Sequence, residues 1–112
     1  MTNSHQTKQR CKRYKFHCEG HAIANNTSVA FTVEDVSFLG LKVVLQEPIE
    51  MNRNYALKIF AHWKKIEIIA RPIWDNDENR MGFEVLNKDP QWIEFMKLVE
   101  SGYFEAMLAQ AG

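Results

Sequence analysis

Up to Val85, apolar residues recur at every second position through most of the chain; after Asp89 they recur at every third or fourth. The first spacing is that of a strand with one face on a core, and the second is that of a helix. Phe16, Cys18, Gly20 and Ala22 alternate with polar neighbours, as do Val29, Phe31 and Val33, and Asn25-Asn26-Thr27 between them supplies turn chemistry, so the pair reads as a hairpin. Leu39, Leu41, Val43 and Leu45 predict a third strand that stops before Pro48, and Met51-Asn52-Arg53-Asn54 predicts a loop. Tyr55, Leu57 and Ile59 predict a fourth strand, and Ile66, Ile68 and Ala70 a fifth, with His62-Trp63-Lys64 as the turn between them. Pro72 lacks the N–H that a ladder needs, which predicts that the fifth strand ends there or reaches a sheet edge. Beyond the charged turn Asp75–Asn79, Met81, Phe83 and Val85 predict a sixth strand.

Asp89-Pro90 is a helix start, with the aspartate as N-cap and the proline where its missing N–H costs nothing. Trp92, Met96, Val99, Tyr103 and Met107 share one face of an amphipathic helix over residues 89–110. Gly102 falls inside that stripe and leaves open whether it forms one helix or two. Phe95, Leu98, Phe104 and Leu108 widen the apolar arc beyond what one barrel end covers, which predicts a dimer or partner contact through residues 95–108. Six short strands separated by turn signals predict a closed antiparallel β-barrel, because closure removes exposed edges, with the helix capping or flanking it.

A chain of 112 residues suits one domain. Residues 1–8 read as a polar tail and 9–112 as the domain, divided into a basic arm at 9–15, the barrel at 16–88 and the helix. Hydrophobic residues make up 46% and charged residues 25%, which excludes global disorder. With no apolar run long enough for a membrane span and no leader pattern, a cytoplasmic protein is expected. Net charge is zero, yet Lys8, Arg10, Lys12, Arg13 and Lys15 stand against Glu19 alone in the first 21 residues. That cluster suits an anionic partner, and equally a solvated arm. Cys11, His17, Cys18 and His21 are metal-ligand types, but their spacing matches no zinc pattern, so no metal site and reduced thiols are expected. Scattered histidines and the absence of H-E-x-x-H, a phosphate loop or G-x-S-x-G point away from an enzyme.

The connection between the second and third strands, VEDVSFLG, carries Asp35, Ser37 and Gly40. Aspartate and serine can bond to nearby backbone in a turn and glycine can mark a bulge, which is the purely structural account. The D-x-S-x-x-G spacing, the basic segment ahead of it, the six strands and the final helix together resemble PilZ domains, a family of six-stranded barrels with a C-terminal helix that bind cyclic di-GMP. Arg80-Met81-Gly82-Phe83-Glu84-Val85 is also loosely similar to that family's penultimate strand. The resemblance implies that Asp35, Ser37 and Gly40 contact the ligand together with Arg10 and Arg13 of the arm, with Lys12, Gln9 and Tyr14 as further contacts. The family's R-x-x-x-R segment is imperfect here: with Arg13 as the second arginine, Gln9 stands in the first place. An arginine can fork onto phosphate or the guanine O6/N7 edge, and a carboxylate accepts from guanine N1–H and N2–H.

The resemblance implies an effector whose ligand changes a protein-protein surface in motility, adhesion or exopolysaccharide control. A PilZ-like module working through protein contacts alone, as in type IV pilus biogenesis, is the alternative. A third class is a small barrel binding single-stranded nucleic acid through Trp63, Lys64, Lys65 and Trp74.

Overall fold

The computed structural model describes residues 12–76, 79–87 and 89–111. Six strands form a closed barrel: β1 (Tyr14–Ala24), β2 (Thr27–Val36), β3 (Gly40–Leu45), β4 (Tyr55–Ala61), β5 (Lys64–Asp75) and β6 (Arg80–Val85). Around the barrel the order is β1-β2-β3-β6-β5-β4, with every neighbouring pair antiparallel. The alternating residues point inward as expected: Val29, Phe31, Val33, Val43, Leu57, Ile59, Ile68 and Phe83 are all buried. Gly20 sits where an added Cβ would come within 2.4 Å of the Lys58 carbonyl oxygen, so strands β1 and β4 approach closely there.

Two expected strand ends move. Leu39 is not part of the third strand; it lies in the turn before Gly40 and is 57% exposed, so its place in the alternation is incidental to the core. Pro72 neither ends β5 nor lies at an edge. The strand runs on to Asp75, and the missing N–H is accommodated by a register shift between Pro72 and Trp74, because a bulge removes a ladder bond.

The amphipathic stripe over residues 89–110, open to one helix or two, forms two, α1 (Pro90–Glu100) and α2 (Tyr103–Ala111). Asp89 caps α1 by accepting from the Gln91 N–H at 2.8 Å, with Pro90 in the first turn. Gly102 has φ +78°, a left-handed conformation that ends α1 and changes the chain's direction. The bend lets both helices use the same barrel end. Trp92, Phe95 and Met96 from α1 and Phe104 from α2 are buried there, and Phe16 meets Phe95 at 5.3 Å and Phe104 at 5.2 Å between ring centroids. The apolar arc is therefore largely covered by the barrel, and Phe95 and Phe104 are not available to a partner. Met107 and Leu108 remain outside.

Candidate functional site

Asp35, Ser37 and Gly40 come together where β2 passes into β3. Ser37 organises the turn: its hydroxyl accepts from the N–H groups of Leu39 and Gly40, both at 3.3 Å, and lies 3.4 Å from the Gly40 carbonyl oxygen, to which it can donate. The backbone closes around it, with the Ser37 N–H donating to Gly40 O at 2.8 Å. Trp92 locks the turn from α1, its indole N–H donating to the Ser37 carbonyl at 3.0 Å. The sequence pattern placed Trp92 only on a helix face, although a buried indole calls for an acceptor. Gly40 has no positive φ, but an added Cβ would stand 1.9 Å from the Phe83 carbonyl oxygen. Close approach of β6 is what requires glycine here.

Asp35 is nearly buried and held by two cations. Arg13 Nη1 donates to Asp35 Oδ1 at 3.0 Å, and Lys42 Nζ stands 3.5 Å from Oδ2. Lys42 also lies 3.8 Å from Glu34, which accepts from Arg80 Nε at 3.2 Å. The Arg80 hydrogen bonds hold the Glu34 carboxyl below its ordinary pKa, against the opposing effect of partial burial. Signs thus alternate along the wall from Arg13 through Asp35, Lys42 and Glu34 to Arg80. Lys42 escaped the sequence reading because only the pairing of β2 with β3 sets it opposite Asp35.

Two glycines lie in the outer wall beside this chain of charges. Strand register aligns Asp35, Lys42, Gly82 and Trp74 in one row, and Gly40, Glu84 and Arg71 in the next. The floor is backbone at Gly40 and the Trp74 indole at Gly82, where an added Cβ would meet the indole nitrogen at 2.2 Å. Over this floor lies a cavity of about 410 Å³, bounded by Arg13, Ser37, Leu39, Ile73, Trp74 and Glu84. That volume falls in the ~300–1,000 Å³ range of small-molecule sites. Register shifts between Lys15 and Cys18, Val33 and Asp35, and Pro72 and Trp74 occur in the strands that surround it; bulges of this kind re-aim side chains beside functional sites.

No protein-family model and no curated protein sequence matches the chain. Solved structures do match: the PilZ domain of YcgR from Escherichia coli with c-di-GMP aligns at TM-score 0.69 and 18% identity, covering 93% of this chain and 98% of that one. The chain has the PilZ fold. The crystal structure of YcgR in complex with c-di-GMP, also from Escherichia coli, aligns at 0.67 and 19% identity over 93% of this chain and 50% of its own. The PilZ domain of CeSA from a cellulose-synthesizing bacterium aligns at 0.62 and 18% identity, over 80% and 96%.

Of the residues that the PilZ resemblance singles out, Arg13, Ser37 and Gly40 line the cavity and Asp35 anchors Arg13 from beneath. Gln9 and Arg10 lie outside the described residues, as does Cys11. Tyr14 and Lys12 face elsewhere: the Tyr14 hydroxyl donates to Glu100 of α1 at 3.1 Å, and the Lys12 ammonium sits 5.4 Å from the centre of the Tyr14 ring. Arg13 and Tyr14 also line a second cavity, of about 340 Å³, against Glu100, Gly102 and Glu105. Trp63 lies in the turn before β5 and Trp74 near that strand's far end, and Trp63 packs on Phe104 at 5.6 Å, so they do not form one stacking platform. Among the described residues no cluster of three His, Cys, Asp or Glu side chains could hold a metal ion, and burial pushes the Cys18 thiol up to about 12. No helix among the described residues is long and apolar enough to cross a membrane.

Proposed function

We propose that this PilZ-fold protein is a cyclic di-GMP receptor, acting as a non-enzymatic effector domain in the cytoplasm. The observation that carries the reading is the arginine clamp: Arg13 lies on Asp35 with its side chain 60% exposed, at the mouth of a cavity floored by Gly40 and edged by Ser37. A guanidinium held by one carboxylate still has donors for a phosphate or a purine edge. Arg10 supplies the second guanidinium from the arm, with Gln9, Lys12 and Tyr14 as secondary contacts, and Ser37 meets the ligand from the turn it organises. Asp35 fixes the direction of Arg13.

Ligand binding reaches a protein-protein surface through Arg13, which borders both cavities, and through the bond from Tyr14 to Glu100 at the end of α1. Engagement of Arg13 by the ligand shifts the setting of α2, whose exposed Met107 and Leu108 meet a partner or a second copy of the chain. Control of motility, adhesion or exopolysaccharide output is the process such an effector serves.

Calorimetric titration with cyclic di-GMP tests the reading. Saturable binding is expected, weakened at least tenfold by Arg13→Ala and by Asp35→Ala. Wild-type protein that gives no heat and no thermal stabilisation at millimolar ligand refutes it and leaves a module that works through protein contacts alone.

A further inference from the structure

The cavity has a second polar edge, on the side away from Arg13. Glu84 lines it from β6, and Arg71 of β5 lies opposite Glu84 in the register, its Nη2 donating to Glu84 Oε1. Both groups stay well exposed, Arg71 at 55% and Glu84 at 40% of their side-chain surface. A cross-strand ion pair this exposed contributes little to stability. Its surroundings are not those of an ordinary solvated pair. On one side Glu84 faces Gly40, where the Phe83 carbonyl closes on the backbone, and the neighbouring row sets the Trp74 indole against Gly82. Ile73, 51% exposed, and Leu39, 57% exposed, flank the same cavity. Exposed apolar groups and the Trp74 indole over the floor, with charge at two edges, Arg13 at one and Glu84 at the other, suit a flat base that buries its faces and presents its rim.

We propose that Glu84 and Arg71 read the rim of a nucleobase in this cavity and select guanine over adenine. The inference rests on the cyclic di-GMP reading above and assigns residues that the D-x-S-x-x-G motif and the arginine arm do not include. Side by side, the pair offers a carboxylate, whose Oε1 shares its lone pairs with Arg71, followed by a guanidinium donor. That order complements guanine, which presents N2–H, N1–H and then the O6 acceptor. Adenine presents an amino donor beside an N1 acceptor, so its N1 would face a carboxylate with no proton between them. Asp35 is less suited to this reading, because Arg13 and Lys42 already hold its two oxygens.

The test titrates cyclic di-GMP and cyclic di-AMP into the wild-type protein and into Glu84→Gln and Arg71→Ala variants. Glutamine replaces one acceptor with a donor, which opposes guanine and suits adenine. Glu84→Gln is expected to weaken cyclic di-GMP roughly tenfold to a hundredfold, the worth of a paired base contact, and to strengthen cyclic di-AMP. Arg71→Ala is expected to weaken cyclic di-GMP alone. A merely structural pair would lower both affinities together, so the ratio of the two dissociation constants is the decisive quantity. Wild-type binding of cyclic di-GMP with that ratio unchanged in both variants overturns the base-reading edge and leaves the receptor reading standing. Failure of the wild-type protein to bind either dinucleotide overturns both.

Discussion

Replacing Trp92 by phenylalanine removes a hydrogen bond that ties α1 to the Ser37 turn. The indole N–H lies 3.0 Å from the Ser37 carbonyl, and Trp92 is 1% exposed. That carbonyl also accepts from the Gly40 N–H at 3.2 Å, so the variant does not leave it orphaned, and the lost bond costs about 1 kcal/mol. The smaller ring leaves a void beside Phe95, 5.2 Å away between centroids, and a truncation of modest size in a packed core adds roughly 1 kcal/mol. The sum, about 2 kcal/mol, lowers the melting temperature by about 8 °C at ~4 °C per kcal/mol for a domain near this size. Thermal unfolding followed by circular dichroism measures it, with Trp63→Phe as the comparison. Trp63 is 52% exposed, so its truncation is expected to shift the midpoint by less than half as much. A Trp92→Phe midpoint within about 2 °C of wild type, or a drop no larger than that of Trp63→Phe, would refute the claim that this bond and its packing hold the turn.

Two further outcomes concern a backbone conformation and a charge. Gly102→Ala places a Cβ on a residue at φ +78° and is expected to cost about 1–2 kcal/mol, read as a lower urea midpoint at unchanged slope; an unchanged midpoint would mean that the helix junction adapts freely. Glu34 has its pKa lowered by Arg80, so the stabilisation is complete above the ordinary glutamate pKa and is lost as pH falls through the depressed value. The melting temperature of Arg80→Met is therefore expected to fall below wild type at pH 7 and to converge toward it only as pH falls through the depressed Glu34 value; a gap that persists or widens in acid would contradict the ion pair.

The strands were legible because barrel closure sets a local rule that every strand obeys. One face must be apolar, and Val29, Phe31 and Val33 or Leu57 and Ile59 announce it within a few residues. The cap at Asp89 and the break at Gly102 are local in the same way, as is the turn chemistry of Ser37. Leu39 and Pro72 misled for the converse reason: each continues or interrupts a local pattern whose meaning depends on a neighbouring strand. Gly40 was noticed, but its necessity comes from the Phe83 carbonyl, 43 positions away in the chain.

What the sequence determined by itself was the period of each element, the turns between them, and the D-x-S-x-x-G turn beside a basic segment. Tertiary structure alone decided that Lys42 would share Asp35 with Arg13, that Trp92 would bond to Ser37, and that Gly40 and Gly82, with the Trp74 indole on the latter, would floor a cavity between Arg13 on one side and Glu84 with Arg71 on the other. Those relations depend on register between strands far apart in sequence. Register is set by the packing of the whole closed sheet, and a slip of one residue would turn every one of these side chains to the opposite face.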